Sequence, residues 1–213
     1  IAPANYLSRE WDFARINVPH IQIVRPWKAK EAHYFISDTM QSGVLAAEGL
    51  IAMGRKIMAY LGFDLATSCN NDRQVGFVKT LKKARLPFNE NSLRTCESSS
   101  ELAYEAMKTW INDGFNAEGL FVYNDMMAFG VLRALSDAGI RVPEDVSVIG
   151  HDDIEVASCF VPRLTTIQTP KHRLGYESAE ALLKLIRTNK GDLMVKRLAQ
   201  NVIYEPILLV RET

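Results

Sequence analysis

Gly119–Gln168 reads GLFVYNDMMAFGVLRALSDAGIRVPEDVSVIGHDDIEVASCFVPRLTTIQ, and its pattern decides the fold class. An apolar run, Leu120 to Tyr123, ends in Asn124-Asp125. A helical pattern follows, with Ala128, Val131, Leu132 and Leu135 on one face, and Gly139 stops it. A second apolar run, Val146 to Ile149, ends in His151-Asp152-Asp153. Two strands therefore carry polar groups to the same edge of a sheet. Open α/β sheets bind ligands outside the carboxyl ends of their strands, so this edge is the expected ligand site.

The same alternation extends outward. Ile21 to Val24 and Tyr34 to Ile36 read as strands. Ser37, Asp38 or Thr39 can cap a helix that places Val44, Ala47, Leu50 and Ile51 on one face and ends at Gly54. Ile57 to Leu61 is the next strand. Asn70-Asn71-Asp72 begins a helix carrying Val75, Val78 and Leu81. Ser98 to Ser100 cap another with Leu102, Ala106 and Trp110 inward, and Gly114 follows it. Leu164 to Ile167 is extended and leads to a helix with Leu174, Ala181, Leu182 and Leu185 on one side. Val202 to Val210 is strand-like, with a break at Pro206. The polar stretch Asn89 to Ser100 reads as a loop. Strands alternating with helices predict an α/β fold with a parallel sheet covered on both faces.

Composition narrows the function. The 213 residues carry 25 Lys+Arg against 25 Asp+Glu, and 47% are apolar. A neutral balance argues against a nucleic-acid binder acting alone. No apolar run is long enough to cross a bilayer, and no secretory signal is visible. Cys69, Cys96 and Cys159 form no Cys-x-x-Cys pair and read as reduced thiols of a cytosolic protein. The chain opens Ile1-Ala2-Pro3, which reads as an internal start. No phosphate-binding loop, zinc motif or nucleophile elbow is present, so neither a cofactor nor a metal is expected and an enzyme is disfavoured.

Individual polar residues carry two readings each. Adjacent carboxylates on a strand point to opposite faces, so Asp152 and Asp153 are not expected to share an ion. Asp153 reads as a cap of the following helix, while Asp152 is left to accept hydrogen bonds from a ligand. Asn124 either caps its helix or offers a ligand both a donor and an acceptor. Asp125 reads as a first-turn acid that suits the helix dipole. Arg73, placed near a helix start, opposes that dipole; it is either a solvated surface residue or a group that reaches a ligand or Asp152. His151 reads as packing or cleft wall, the alternative being a base acting with Asp152.

In combination these residues resemble the effector-binding core of the lactose-repressor (LacI/GalR) family of bacterial transcription regulators. The resemblance rests on Asn124-Asp125 with Ala128 and Gly130, on Gly139-Ile140 followed by Val142-Pro143 and Asp145 to Gly150, and on Asp152-Asp153. It continues through Pro162, Leu164 to Ile167 and Leu174-Gly175. Upstream, Val18-Pro19, the Gly43–Gly54 helix and Arg73 with Gly76-Phe77 also match, as does the closing Leu209 to Thr213. It spans essentially the whole chain. It implies two Rossmann-like lobes of the periplasmic-binding-protein kind joined by three crossovers, near Ile36–Asp38, Ile167–Gln168 and Tyr204–Ile207. Residues 1–36 and 168–203 would form the N-terminal lobe, and 38–166 with 205–213 the C-terminal lobe. The N-terminal lobe would be partial, short of two βα units of ~30 residues each, and the DNA-binding headpiece would be absent.

The resemblance also implies roles. Arg73, Asn124 and Asp152 would bind a small polar effector, a sugar or sugar derivative, because planar guanidinium and carboxylate groups each make paired hydrogen bonds to vicinal hydroxyls. Family members often stack an aromatic on the ligand near Ser99, where this chain has Ser98-Ser99-Ser100. They also often carry an Asp before the Arg at the first strand's end, where this chain has Val24-Arg25. Arg25 suggests an anionic ligand. Met126, Phe129, Ser158, Cys159 and Phe160 would form a homodimer surface, with the three apolar side chains as an exposed patch. The expected function is a cytoplasmic repressor core that controls operator binding by a helix-turn-helix outside this chain. The alternative is a periplasmic sugar-binding protein.

Overall fold

The computed structural model describes residues 18–24, 33–64, 68–188 and 201–213. The chain divides into two compact units, one of Ile1–Asp38 with Pro170–Glu205, the other of Thr39–Thr169 with Pro206–Thr213. In the smaller unit, β1 (Gln22–Ile23), β2 (Tyr34–Ser37) and β8 (Asn201–Tyr204) pair in parallel in the order β1-β2-β8. The helix α5 (Lys171–Thr188) packs on them, bringing Leu174 and Leu185 against Ile21, Phe35 and Tyr204. The Tyr204 hydroxyl donates to Glu177 of that helix at 2.7 Å.

The larger unit holds a six-stranded sheet of β3 (Met58–Phe63), β4 (Leu93–Cys96), β5 (Gly119–Val122), β6 (Ser147–Asp152), β7 (Thr165–Gln168) and β9 (Ile207–Leu209), in the order β4-β3-β5-β6-β7-β9. Every pairing is parallel except β7 with β9. The strands alternate strictly. Ala59, Leu61, Leu120, Val122 and Val148 enter one core with α3 (Ser100–Asn112) and α4 (Asp125–Asp137). Met58, Tyr60, Phe121 and Ile149 enter the other with α1 (Thr39–Ala52) and α2 (Ser68–Lys83). A sheet buried on both faces requires both sets of alternate side chains to be apolar, and here they are.

Local signals set the ends of the helices. Gly54, Gly114 and Gly139 follow α1, α3 and α4 with φ of 82°, 91° and 71°, a region that residues with side chains rarely adopt. Two other glycines let helices touch. A Cβ on Gly43 would lie 2.0 Å from the Arg73 carbonyl oxygen, and one on Gly76 would lie 2.1 Å from that of Met40. The contact is mutual, so α1 and α2 cross backbone to backbone. Thr39 adds a hydrogen bond from the start of α1 to Asp72 on α2, at 3.3 Å.

Three expectations are corrected. Asn89 to Ser100 is not a continuous loop, because Leu93–Cys96 forms the edge strand β4 on β3. Being a short edge strand, it carries polar residues at positions where a central strand could not. Val75 and Leu102 do not face inward, being 37% and 44% exposed. The expected Leu81 is buried on α2, joined there by Phe77, and the expected Trp110 is buried on α3, joined by Ala103, Tyr104 and Met107.

Candidate functional site

The strand order places one break in the winding. The connection after β3 runs through α2 on one face, and the connection after β5 runs through α4 on the other. Between the carboxyl ends of β3 and β5 the two connections diverge, which is the crevice where such sheets take ligands. Arg73 and Asn124 come from the segments that follow β3 and β5, and Asp152 is the last residue of β6.

Arg73 sits in the second turn of α2, because the helix begins at Ser68, and it is buried rather than solvated. Its Nη1 donates to the Tyr123 carbonyl at 2.6 Å, across the break, and its Cζ lies 4.7 Å from the centre of the Tyr123 ring. Its Nε is buried and has no hydrogen-bond partner among the described residues. An unsatisfied donor on a buried cation costs more than the ~1–3 kcal/mol of a neutral one, so it calls for an acceptor. The start of α2 is fixed by Asn70, whose Oδ1 accepts from the Tyr60 hydroxyl at 3.0 Å and whose Nδ2 donates to the Phe63 carbonyl at 3.0 Å. Burial raises the Tyr60 hydroxyl far above its ordinary range despite the opposing Arg73 charge, so it stays a donor. The anchoring role of Asn70 was not read from the sequence, which marked only a helix start there.

Asn124 is the N-cap of α4. Its Oδ1 accepts from the Met127 amide at 2.9 Å, and its Nδ2 donates to the Ser98 hydroxyl at 2.7 Å. The capping function thus engages one end of the amide, and the donor end faces an exposed serine that a ligand can replace. Ser99 caps α3 by accepting from the Leu102 amide at 3.1 Å. Arg25 lies outside the described residues.

The acidic residues depart from expectation in their partners. Asp153 caps nothing: Ile154 is the N-cap of the short helical turn Glu155–Ser158, without a side-chain bond. The Asp153 carboxylate instead accepts from Arg211 Nη2 at 2.6 Å and from Gln168 Nε2 at 2.7 Å. Asp125 is the first-turn acid of α4 that the sequence suggests, but it has distant partners as well. It is fully buried and accepts from the Thr166 hydroxyl at 2.6 Å and the Ile154 amide at 2.9 Å. Asp152 keeps a partly exposed carboxylate, one oxygen of which lies 2.8 Å from His151 Nδ1. His151 Nε2 lies 3.2 Å from the Ser42 hydroxyl. The connectivity is that of a Ser-His-Asp triad, but Ser42 is 0% and His151 1% exposed, so no substrate reaches that hydroxyl. The relay orients Asp152. Among the described residues no group of three or more His, Cys, Asp or Glu could hold a metal ion.

The surface expected to dimerise is also reordered. Phe129 is core, 9% exposed, and its ring lies 4.8 Å from that of half-buried Phe160. The outward apolar side chains here are Met126 at 49%, Val156 and Val161, with Ser158 and Cys159 exposed beside them.

Residues 47–204 match the model of the periplasmic binding protein-like domain. The chain belongs to that family. Within it the relatives are LacI-type. The repressor PurR of Photorhabdus laumondii is 32% identical over 200 residues, covering 92% of this chain and 56% of its own length. PurR of Yersinia pestis is 32% identical over 179 residues, 83% of this chain and 52% of its own. The chain spans about half the length of these curated relatives. Among solved structures, the lac repressor dimer bound to operator and an anti-inducer superposes with a TM-score of 0.82 at 28% identity, over 94% of this chain and 67% of that one. A LacI-family regulator from Enterococcus faecium with bound ribose gives 0.81 at 26% identity, over 91% and 70%. The chain is the effector-binding core of a LacI-family, periplasmic-binding-protein-like fold.

Proposed function

We propose that this core binds a small polar effector, a sugar or sugar derivative, through Arg73, Asn124 and Asp152, and that binding controls operator affinity through a DNA-binding domain outside the chain. The observation that carries the reading is Arg73. A buried guanidinium at the break in the winding, with one donor unsatisfied among the described residues, is complementary to a hydroxyl or anionic oxygen. Asp152 supplies an acceptor and Asn124 a donor from the two neighbouring strand ends. Such a site discriminates by hydroxyl pattern, since a missing hydroxyl leaves buried polar groups unpaired. Ser99 and Arg25 belong to the same proposal as neighbours of the effector.

The effector acts by favouring one arrangement of two lobes, residues 1–36 with 168–203 and 38–166 with 205–213, over another. The core works as a homodimer, in the cytoplasm, through the face that exposes Met126, Ser158 and Cys159, with Phe129 and Phe160 packed beneath it. No described helix is long and apolar enough to cross a membrane. The relatives are repressors, which favours this reading over a periplasmic transport protein.

A thermal-shift screen of sugars, sugar phosphates and nucleosides tests it. A ligand that raises Tm in the parent chain is expected to lose that effect in Arg73→Ala and Asp152→Ala, both still folded. Undiminished shifts in both variants would remove these residues from the site.

A further inference from the structure

Asp152 is presented by a turn of unusual backbone. Asp152 has a φ of 110° and Asp153 one of 49°, two consecutive side-chain-bearing residues in the half of φ space that favours glycine. Such a turn persists only where its surroundings over-determine it. The fully buried Asp125 and the half-buried Arg211 do this, and neither is among the residues assigned to the effector.

Asp125 holds the turn's far end. Its Oδ2 accepts from the Ile154 amide, while its Oδ1 accepts from the Thr166 hydroxyl on β7. The fit before the turn is close, since a Cβ on Gly150 would lie 2.3 Å from Asp125 Oδ1. Arg211 holds the middle. Its Nη2 donates to Asp153 Oδ1 at 2.6 Å and its Nη1 to the Leu164 carbonyl at 2.8 Å. The pair is well shielded, with side chains 17% and 16% exposed. Gln168 takes the second Asp153 oxygen. Both residues therefore tie the turn to the β7 region, a rigid part of the sheet.

We propose that Asp125 and Arg211 are positioning residues for the effector site: they hold the Asp152–Asp153 turn in the conformation that presents the Asp152 carboxylate, and effector affinity depends on them although neither touches the effector. The affinity part rests on the assignment of Asp152 to that site. Removing either contact lets the turn relax toward the φ values that side chains prefer. A rotation of that size at Asp152 swings its carboxylate out of place and off His151.

Hydrogen exchange on the chain as it stands, with Arg211→Ala, Arg211→Lys and Asp125→Asn, tests the positioning without a ligand. Losing a charge-assisted contact is expected to speed exchange of the Asp153 and Ile154 amides by about tenfold in Arg211→Ala. Amides of β3 and β5 should keep their protection, and Arg211→Lys should recover part of the loss. Asp125→Asn keeps one acceptor, so it should free the Ile154 amide less than Asp125→Ala does. Unchanged exchange at Asp153 and Ile154, or an equal rise throughout the larger unit, overturns the proposal. A second arm follows the Tm rise produced by ribose and by cellobiose. A rise seen in the parent chain and lost in Arg211→Ala supports the affinity part; a rise kept in full overturns it. If neither sugar moves the parent Tm, the sugar-effector reading fails on its own, and exchange alone decides the positioning.

Discussion

The Asp125 carboxylate lies 2.6 Å from the Thr166 hydroxyl, and neither residue is accessible to solvent. Burial raises the acid from its ordinary 3.8 to about 6; the bonds from Thr166 and Ile154 oppose the rise, and the charges of Asp152 and Asp153 add to it. A folded-state value above the unfolded one means that the folded chain holds more protons between about pH 4 and pH 6. The contribution of Asp125 to stability is therefore fully present below that window and is lost as the pH rises through it. The loss is on the order of 2–3 kcal/mol. Urea unfolding of the parent chain and of Asp125→Asn, compared between pH 4 and pH 7, should show this falling component only in the parent. Parallel pH profiles would place the carboxylate in a more polar setting than the fold provides. Asp145, held down to about 2 by its bonds from Arg141, titrates below this window and does not obscure it.

Replacing Gly43 or Gly76 by Ala should separate α1 from α2. The atoms in the way are main-chain oxygens, which cannot move aside as a flexible side chain does. Each change is expected to cost about 1–3 kcal/mol or more in urea unfolding. Gly43→Ala presses directly on the Arg73 carbonyl, so it should weaken effector binding as well. Gly54→Ala is the comparison: it has open space but a φ of 82°, so it should cost only about 1 kcal/mol and leave binding alone.

Asn124 joins two roles that substitution can separate. Asn124→Ala removes the acceptor that caps α4 and should cost about 1 kcal/mol in thermal unfolding. Asn124→Asp keeps the cap but loses the donor that reaches Ser98. Its stability should stay within about 0.5 kcal/mol of the parent while the ligand-induced Tm rise shrinks. A full Tm rise in Asn124→Asp would leave Asn124 a cap alone.

Met126 and Phe129 stand on the same helix and should behave oppositely. Phe129→Ala empties a site packed against Phe160 and should cost about 3–5 kcal/mol. Met126→Ala should change stability by less than about 0.5 kcal/mol, since the side chain is half exposed. If the proposed dimer forms through this face, sedimentation velocity should show weaker self-association in Met126→Ala, with unfolding unchanged.

The sequence shows most of the fold because the fold's main signals are local. Gly54, Gly114 and Gly139 read as helix stops since a positive φ is a property of one residue. The inward face of α4 was legible because Ala128, Val131, Leu132 and Leu135 all recur with the helical period and all are buried. What could not be read was set by distant partners. Asp153 reads as a cap because a cap needs only its neighbours, whereas its actual partners, Gln168 and Arg211, are 15 and 58 positions away. Leu93–Cys96 hides as a strand because an edge position demands little apolar character. Arg73 showed as a cation in an awkward place, but its burial depends on Tyr123 and on the crossing of α1 with α2.

The antiparallel pairing of β7 with β9 has one more consequence. Gln168 and Ile207 face each other directly in the register, and everything between them apart from Thr169 and Pro206 belongs to the smaller unit. In topological terms β7 and β9 form a β-hairpin whose loop has been replaced by part of the smaller unit. A two-residue Asn-Gly turn joining Gln168 to Ile207 matches the twist of such a ladder, so it would close the hairpin directly. The excised chain should then unfold cooperatively as a single domain, with the Arg211–Asp153 contact intact.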